Sequence, residues 1–392
     1  MADDDSHFSV TAGANVSRRS VMRQLGAATA IGGLAGCLQQ ESTGDDGSDG
    51  SGDDGGNGGG NGSAPSYQRV DLTPPPTEMD FSRDPPERDI TMVCHNGAIS
   101  FWNPTIGGLH DAASQLGWNA TFTGPSGGFS VQEQVNILEN VVASDPDVIA
   151  TTVSDSEAYN QVINDAIDND IVVLTFNTNS LRAEGQSYMR EEFGRVLPFA
   201  GQDQYSSGYA NGMALIEKLP DDASKITVGL ADPAHSGQAA RASGAEDAVR
   251  QNTDIEITER VNYTDDSSEG VSRIANHLSA NPDLDAMVGS DVYSWFIGRA
   301  AEEEGTADDL VIGGFDLDQN TLDYIQGGVM NYTTGQDPYS QGYVPVIQAF
   351  AYLERGMPPK EYLTGAEIVD QGNIDFALER RNWGDLIEYH DA

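Results

Sequence analysis

Only three lysines occur in 392 residues, Lys218, Lys225 and Lys360, and Lys+Arg total 20 against 62 Asp+Glu. A formal net charge of −42 argues against nucleic acid as a partner, because nucleic acid is held by neutralising its phosphates with clustered cations. Cysteine is almost as scarce, with Cys37 and Cys94 alone, too few for a thiolate zinc site. The six histidines contain no H-x-x-x-H pair, no Walker sequence occurs, and the Asp/Gly runs match no EF-hand loop. No metal and no cofactor is therefore expected. The acidic residues run through the whole chain, and like charge at that density repels the compact state. Concentrated salt relieves the repulsion, since the Debye length falls to about 3 Å at 1 M. An acidic, lysine-poor surface thus points to a halophile.

What is present begins with SRRSVMRQLGAATAIGGLAGC at 17–37. The twin arginine Arg18-Arg19 precedes an apolar run from Leu25 to Leu34. That run is too short to span a bilayer and fits a signal-peptide core. The arginine pair is similar to a twin-arginine export signal, and Leu34-Ala35-Gly36-Cys37 resembles a lipobox, which implies lipidation of Cys37. With Cys37 so modified, Cys94 has no disulfide partner and reads as a buried thiol in an apolar strand. Signal and acidic composition together resemble those of a haloarchaeal secreted lipoprotein.

Residues 41–64, ESTGDDGSDGSGDDGGNGGGNGSA, hold nothing to bury and read as a flexible charged linker. The Pro-rich stretch 72–87 follows. From Ile90 short β-branched runs alternate with amphipathic stretches. Strands are expected at 90–94, 119–123, 147–152, 171–175, 196–200, 226–230, 255–260, 284–289, 310–314 and 329–334. Helices are expected at 104–116, 130–144, 156–169, 205–218, 238–251, 268–280, 294–304, 318–327 and 339–355. In 130–144, Val131, Val135, Leu138 and Val142 recur at spacings of three and four. Strand–helix alternation of this kind argues for parallel sheets covered by helices on both faces. The strands are too many for one simple sheet, so two lobes are expected.

Open α/β sheets bind ligands beyond the carboxyl ends of their strands. The first strand runs into Cys94-His95-Asn96 and, after Ser100, Phe101-Trp102. The aromatic pair can stack on an apolar sugar face or serve as a helix-entry staple. Asn177, Asp291 and Asp316 each stand at a strand end, where they can cap a helix or bind a hydroxyl. Gly124-Pro125-Ser126-Gly127-Gly128 fits G-x-S-x-G, which in a hydrolase is a nucleophile elbow, with His235, His277 and His390 as available bases. Asn61, Asn119, Asn262 and Asn331 each begin an N-x-S/T sequon.

Six segments in order carry a family resemblance: FWNPTIGGLHDAASQLG (101–117), DPDVIATTVSDSEAYNQVINDAIDNDIVVLTFN (145–177), GQAARASGAEDAV (237–249), NPDLDAMVGSD (281–291), LVIGGFDLDQNTLDYIQGG (310–328) and TTGQDPYSQGYVPVIQAF (333–350). From about 88 to 370 the chain resembles a type I periplasmic binding protein of the ribose- and sugar-binding group. The resemblance implies a two-lobe α/β fold, each lobe a mostly parallel sheet flanked by helices, with a hinge between them. It implies signal 1–37, linker 38–87, one lobe of 88–201 with 337–366, and another of 202–336 with 367–392.

It also implies a lipid-anchored, extracytoplasmic, monomeric protein that delivers a monosaccharide to an ABC permease and is no enzyme. Phe101 and Trp102 fall on the family's ring-stacking aromatics, Arg241 on its ligand-binding arginine, Asp316 on its late-strand aspartate and Gln336 on its crossover glutamine. His95, Asn96, Asn177, Tyr263 and Asp291 complete the expected ligand set. Asn177-Thr178 replaces the family's usual Asp-Arg, and Ile99-Ser100 replaces the Asn-Pro before the aromatic pair. Two alternatives stand beside this reading, a receptor for a nucleoside or furanosyl signal coupled to a sensor, and an anchored hydrolase using Ser126.

Overall fold

A computed structural model describes residues 86–155, 157–179 and 197–381. The signal, Cys37, the linker, Asn61, most of the Pro-rich stretch and His390 lie outside them. Thirteen strands and ten α-helices alternate along the described residues. The strands are β1 (Asp89–Val93), β2 (Asn119–Thr123), β3 (Val148–Val153), β4 (Val172–Asn179), β5 (Phe199–Gly201), β6 (Lys225–Leu230), β7 (Glu256–Ile257), β8 (Val261–Asn262), β9 (Ala286–Gly289), β10 (Val311–Phe315), β11 (Tyr332–Gly335), β12 (Tyr362–Leu363) and β13 (Glu367–Asp370). The helices are α1 (Asn103–Leu116), α2 (Val131–Ala143), α3 (Asn160–Asp168), α4 (Gln204–Lys218), α5 (Ser236–Asn252), α6 (Ser267–Ala280), α7 (Trp295–Glu304), α8 (Gln319–Gln326), α9 (Pro338–Arg355) and α10 (Ile374–Arg381).

Two sheets result, one to each lobe. The first is parallel throughout, in the order β12-β5-β4-β3-β1-β2. The second runs β13-β11-β10-β9-β6-β7, with β8 also on β6, and only β13 is antiparallel. Strand periodicity feeds both faces of each sheet. In the first, Ile90, Met92, Val148 and Ala150 pack toward α1 and α9, while Val93, Ile149 and Val153 pack toward α2 and α3. In the second, Ile226, Val228 and Val288 face α4 and α5, and Met287 and Ile312 face α6, α7 and α8.

The chain passes between the sheets three times, at 202–203, 336–337 and 364–366. Gln202 ties the crossings together: its Nε2 donates to the carbonyls of Gly335 (3.0 Å) and Gly365 (2.7 Å). Glycine pairs set the helices against each other. A Cβ on Gly208 of α4 would overlap the Arg241 carbonyl of α5, and one on Gly244 of α5 would overlap that of Tyr205. Gly108 of α1 and Gly342 of α9 are matched in the same way in the first lobe.

Some expected elements differ. The strand expected at 255–260 is two short pieces, β7 and β8, each pairing with β6 at a different height. α3 starts at Asn160 because Asp155 first accepts the amides of Glu157 and Ala158 in a side-chain turn. The strand expected from 329 starts at Tyr332, after a turn in which Gly328 takes φ +82°. β12, β13 and α10 have no expected counterpart, the two strands being too short to display alternation.

Candidate functional site

The carboxyl ends of both sheets open onto one cavity of about 360 Å³. From the first lobe come His95 and Asn96 after β1, Phe101 from the turn before α1, Phe129 from the β2–α2 loop, and Asn177 and Thr178 from β4. The second lobe contributes Asp232 after β6, Asn262 of β8, Asp265, His235, Gln238 and Arg241 from the start of α5, Asp291 and Tyr293 after β9, and Asp316 after β10. Gln336 enters from the second crossing.

Asn177 and Asp316 hold left-handed backbone, with φ of 57° and 70°. Asn and Asp tolerate this region better than other side-chain-bearing residues. At Asn177 it kinks β4 where the pairing with β3 shifts register, and at Asp316 it turns the chain just after β10; both side chains are buried.

A polar network spans the hinge side of the cavity. Arg241 donates from Nε to Gln204 Oε1 (2.5 Å), from one terminal nitrogen to the Ser290 carbonyl (3.4 Å) and from the other to Gln336 Oε1 (3.2 Å). Its guanidinium lies 4.3 Å from the centre of the Phe315 ring. Gln336 Nε2 donates to Asp316 Oδ1, and Asn177 Nδ2 donates to Gln336 Oε1 (3.2 Å) and Gln341 Oε1 (2.9 Å). Gln204 Nε2 closes the circuit on the Asn177 carbonyl (2.6 Å). One side of the cavity is thereby prearranged by its own hydrogen bonds.

Burial sets the electrostatics. Desolvation lowers the Arg241 pKa against the opposing charges of Asp316 and Asp291. It raises Asp316, with Arg241 working the other way. It pushes Asp291 up to about 6, despite hydrogen bonds from the Ala231 amide, the Tyr263 hydroxyl and the Tyr293 amide that favour the carboxylate. The buried Cys94 thiol is pushed up to about 12, chiefly by desolvation, and is chemically quiet.

Eight of the ten expected ligand residues line the cavity: His95, Asn96, Phe101, Asn177, Arg241, Asp291, Asp316 and Gln336. Two do not, and their expected places are corrected. Trp102 is 1% exposed and belongs to the first-lobe core, edge-on to Phe176, with Nε1 donating to the Asn96 carbonyl (2.6 Å). The 3₁₀ turn over Ser100–Trp102 sends consecutive side chains in different directions, so Phe101 faces the cavity and Trp102 the core. The indole N–H needs a partner once buried, and the Asn96 carbonyl supplies it. Tyr263 is fully buried behind Asp291 and donates its hydroxyl to Asp291 Oδ2 (2.9 Å).

Sequence reasoning missed Phe129, Asp232, Asp265, Gln238 and Tyr293, and took His235 only as a candidate base. Asp232, Asp265 and Tyr293 carry polar groups in loops that follow strands, so the rule that singled out Asn177 and Asp316 could have found them, whereas Phe129 and Gln238 carry no such signal. Ser126 lies exposed in its loop, outside the cavity lining and five residues before α2 begins. A nucleophile elbow needs the serine at a tight strand-to-helix turn, and this loop has none.

The sequence profile described as a periplasmic binding protein domain matches residues 90–357. The xylose/arabinose-binding protein XylF of Sulfolobus acidocaldarius is 25% identical over 329 residues, 81% of this chain and 80% of its own. A D-ribose/D-allose-binding protein of Pseudomonas aeruginosa is 24% identical over 230 residues, 58% of this chain and 70% of its own. Among solved structures, the glucose-galactose binding protein GanP of Geobacillus stearothermophilus matches with a TM-score of 0.65 at 24% identity, over 74% of this chain and 99% of GanP. A solute binding protein of Actinobacillus succinogenes with bound D-allose matches with a TM-score of 0.66 at 20% identity, over 74% of this chain and 99% of its own. At these identities the structural matches establish the two-lobe fold alone.

Proposed function

Because this chain belongs to the periplasmic binding protein domain family, we propose that it captures a monosaccharide between its lobes and delivers it to an ABC importer. The family is one of binding proteins and not of enzymes, and the hydrolase reading through Ser126 is not carried further. One observation supports a sugar above other solutes. The cavity sets the rings of Phe101 and Phe129 among the carboxylates of Asp232, Asp265, Asp291 and Asp316, with Arg241 as the only Arg or Lys of the lining among the described residues. Arg241 already faces Asp316 and Asp291, so among the described residues of the lining the charge balance favours a neutral solute over an anion. A neutral polyol matches this lining, with an apolar ring face for the aromatics and hydroxyls for the carboxylates. The sugars for which the relatives are named, xylose, arabinose, ribose and allose, belong to the same class.

The mechanism is hinge closure: a solute that touches both lobes favours the closed state by its differential affinity for it. In this reading the first lobe acts through Phe101 and Asn177, the second through Arg241, Asp291 and Asp316, and Gln336 works from the crossing. The protein rides outside the cell membrane as a monomer, lipid-anchored at Cys37 after twin-arginine export, and functions in concentrated salt. The twin arginine, the lipobox and the acidic composition support that placement.

Titration calorimetry in 2 M KCl, roughly the regime of full screening, against D-xylose, L-arabinose, D-ribose, D-allose, D-glucose and D-galactose tests the sugar class. At least one should bind and raise the melting temperature. Binding of adenosine with none of the sugars would overturn the assignment. Membrane fractionation of a Cys37→Ser variant tests the anchor, and unchanged processing and membrane retention would refute it.

A further inference from the structure

His95 and His235 meet across the cleft. His95 follows β1 in the first lobe, and His235 caps α5 in the second. Their Nε2 atoms are 3.4 Å apart and their ring centres 4.8 Å apart, with Phe129 flanking both rings at 5.7 and 5.1 Å. Beside them the Ser236 amide donates to the Ser154 carbonyl of the opposite lobe (3.4 Å).

The surrounding hydrogen bonds assign both tautomers. His235 Nδ1 accepts the amides of Gly237 (3.2 Å) and Gln238 (3.4 Å), so it carries no hydrogen and the proton sits on Nε2. His235 Nε2 must then donate, and His95 Nε2 accepts. His95 therefore holds its proton on Nδ1, which donates to Thr152 Oγ1 (3.2 Å). Every ring nitrogen of the pair is engaged by protein, which leaves neither imidazole free to bind a solute by a direct hydrogen bond.

We propose that His95 and His235 form a latch that holds the cleft shut only while both imidazoles are neutral, so that acid opens the lobes. The inference rests on the hinge-closure reading above. A second proton on His95 would land on Nε2, facing the N–H of His235. A second proton on His235 would land on Nδ1, facing two backbone N–H groups at a helix N-terminus, where positive charge is disfavoured. The first removes the acceptor that joins the lobes, and the second strips His235 of the amide hydrogen bonds that fix its ring in the cleft.

The groups around the pair divide between those that pack on it and those that carry charge. The His95 ring packs against Trp102 and Phe129, and Thr152 beside it also accepts from Gln134 Nε2. Asp232, Asp265, Asp291, Asp316 and Tyr293 line the rest of the cavity. Burial opposes protonation of both rings most strongly, His235 opposes it further at His95, and the charge of Arg241 opposes it at both. His95 is held well below the ordinary histidine value and His235 is lowered to about 3. The sign follows. The closed state binds fewer protons than an open one, so closure is fully favoured above about pH 6.5, the ordinary histidine value. It is lost as pH falls from there toward the closed-state values.

Histidine-selective ¹⁵N NMR on the ligand-free full chain is the test. At pH 7.5 the spectra should report the Nε2–H tautomer for His235 and the Nδ1–H tautomer for His95. Both rings should stay neutral to below about pH 5, at least a unit under the free value. His235→Asn keeps a good helix cap and removes the partner. In that variant the His95 titration should move up by about one unit or more. Titration of both rings near 6.5 in the parent, or a His95 titration indifferent to His235→Asn, overturns the latch. Should that variant fail to fold, His95→Gln gives the reciprocal reading on His235. D-xylose affinity forms a second arm: if D-xylose binds, affinity should fall about tenfold per pH unit below 6 for each ring that takes a proton on opening, up to about a hundredfold for both, and the fall should be much shallower in His235→Asn. The first arm needs no solute, so failure of the sugar assignment leaves the latch testable, and failure of the latch leaves the sugar assignment intact.

Discussion

Replacing Asp316 with asparagine separates charge from shape at the centre of the cleft. The side chain is 4% exposed, its backbone sits at φ 70°, and its Oδ1 accepts from Gln336 Nε2. Asparagine keeps the volume, tolerates the left-handed backbone and retains one acceptor oxygen for Gln336. It loses the charge that faces Arg241 and would accept from solute hydroxyls. A hydrogen bond to a charged group contributes about 1.5–3 kcal/mol and a neutral one about 0.5–1.5. The expected loss is therefore about 1–1.5 kcal/mol for a single solute hydroxyl, close to tenfold in Kd. Alanine is the poorer probe, since a residue with Cβ but no polar tip costs about 1–2 kcal/mol in left-handed backbone and the effect would mix folding with binding. Calorimetry with the sugar identified from the panel gives the affinity, and a melt at the same salt reports the fold. The reasoning fails if Asp316→Asn binds as tightly as the parent with an unchanged melting temperature.

Phe101→Ala should weaken sugar binding with little change in melting, whereas Trp102→Ala should cost about 3–5 kcal/mol of stability by emptying the first-lobe core, as parallel denaturant titrations would reveal. Gly208→Ala forces a methyl onto the backbone of Arg241, so it should cut affinity more than tenfold; unaltered calorimetry would show that the close approach of α4 and α5 does not position the guanidinium. The melting temperature should rise steeply with KCl as the Debye length shrinks from about 10 Å at 0.1 M to about 3 Å at 1 M, and a flat profile from 0.1 M upward would remove the halophile argument.

Sequence alone was enough for the two-lobe α/β class, because strand and helix periods of two and 3.6 are local properties and survive in runs such as 147–152 and 130–144. It was also enough to nominate Asn177, Asp291 and Asp316, since a polar side chain closing an apolar strand is visible without neighbours. The adjacent Phe101 and Trp102 were indistinguishable by pattern, and only the 3₁₀ turn beneath them assigns one to the cavity and the other to the core. Tyr263 sits behind Asp291 and donates its hydroxyl to that carboxylate, a placement that no local pattern displays. β12 and β13 carry too few residues for alternation, yet the third crossing runs between them. The meeting of His95 with His235, 140 residues apart in sequence, has no local signature. Contacts between lobes depend on how two separately packed sheets come to rest against each other, and that relation is set by tertiary packing across the crossings rather than by any short stretch of chain.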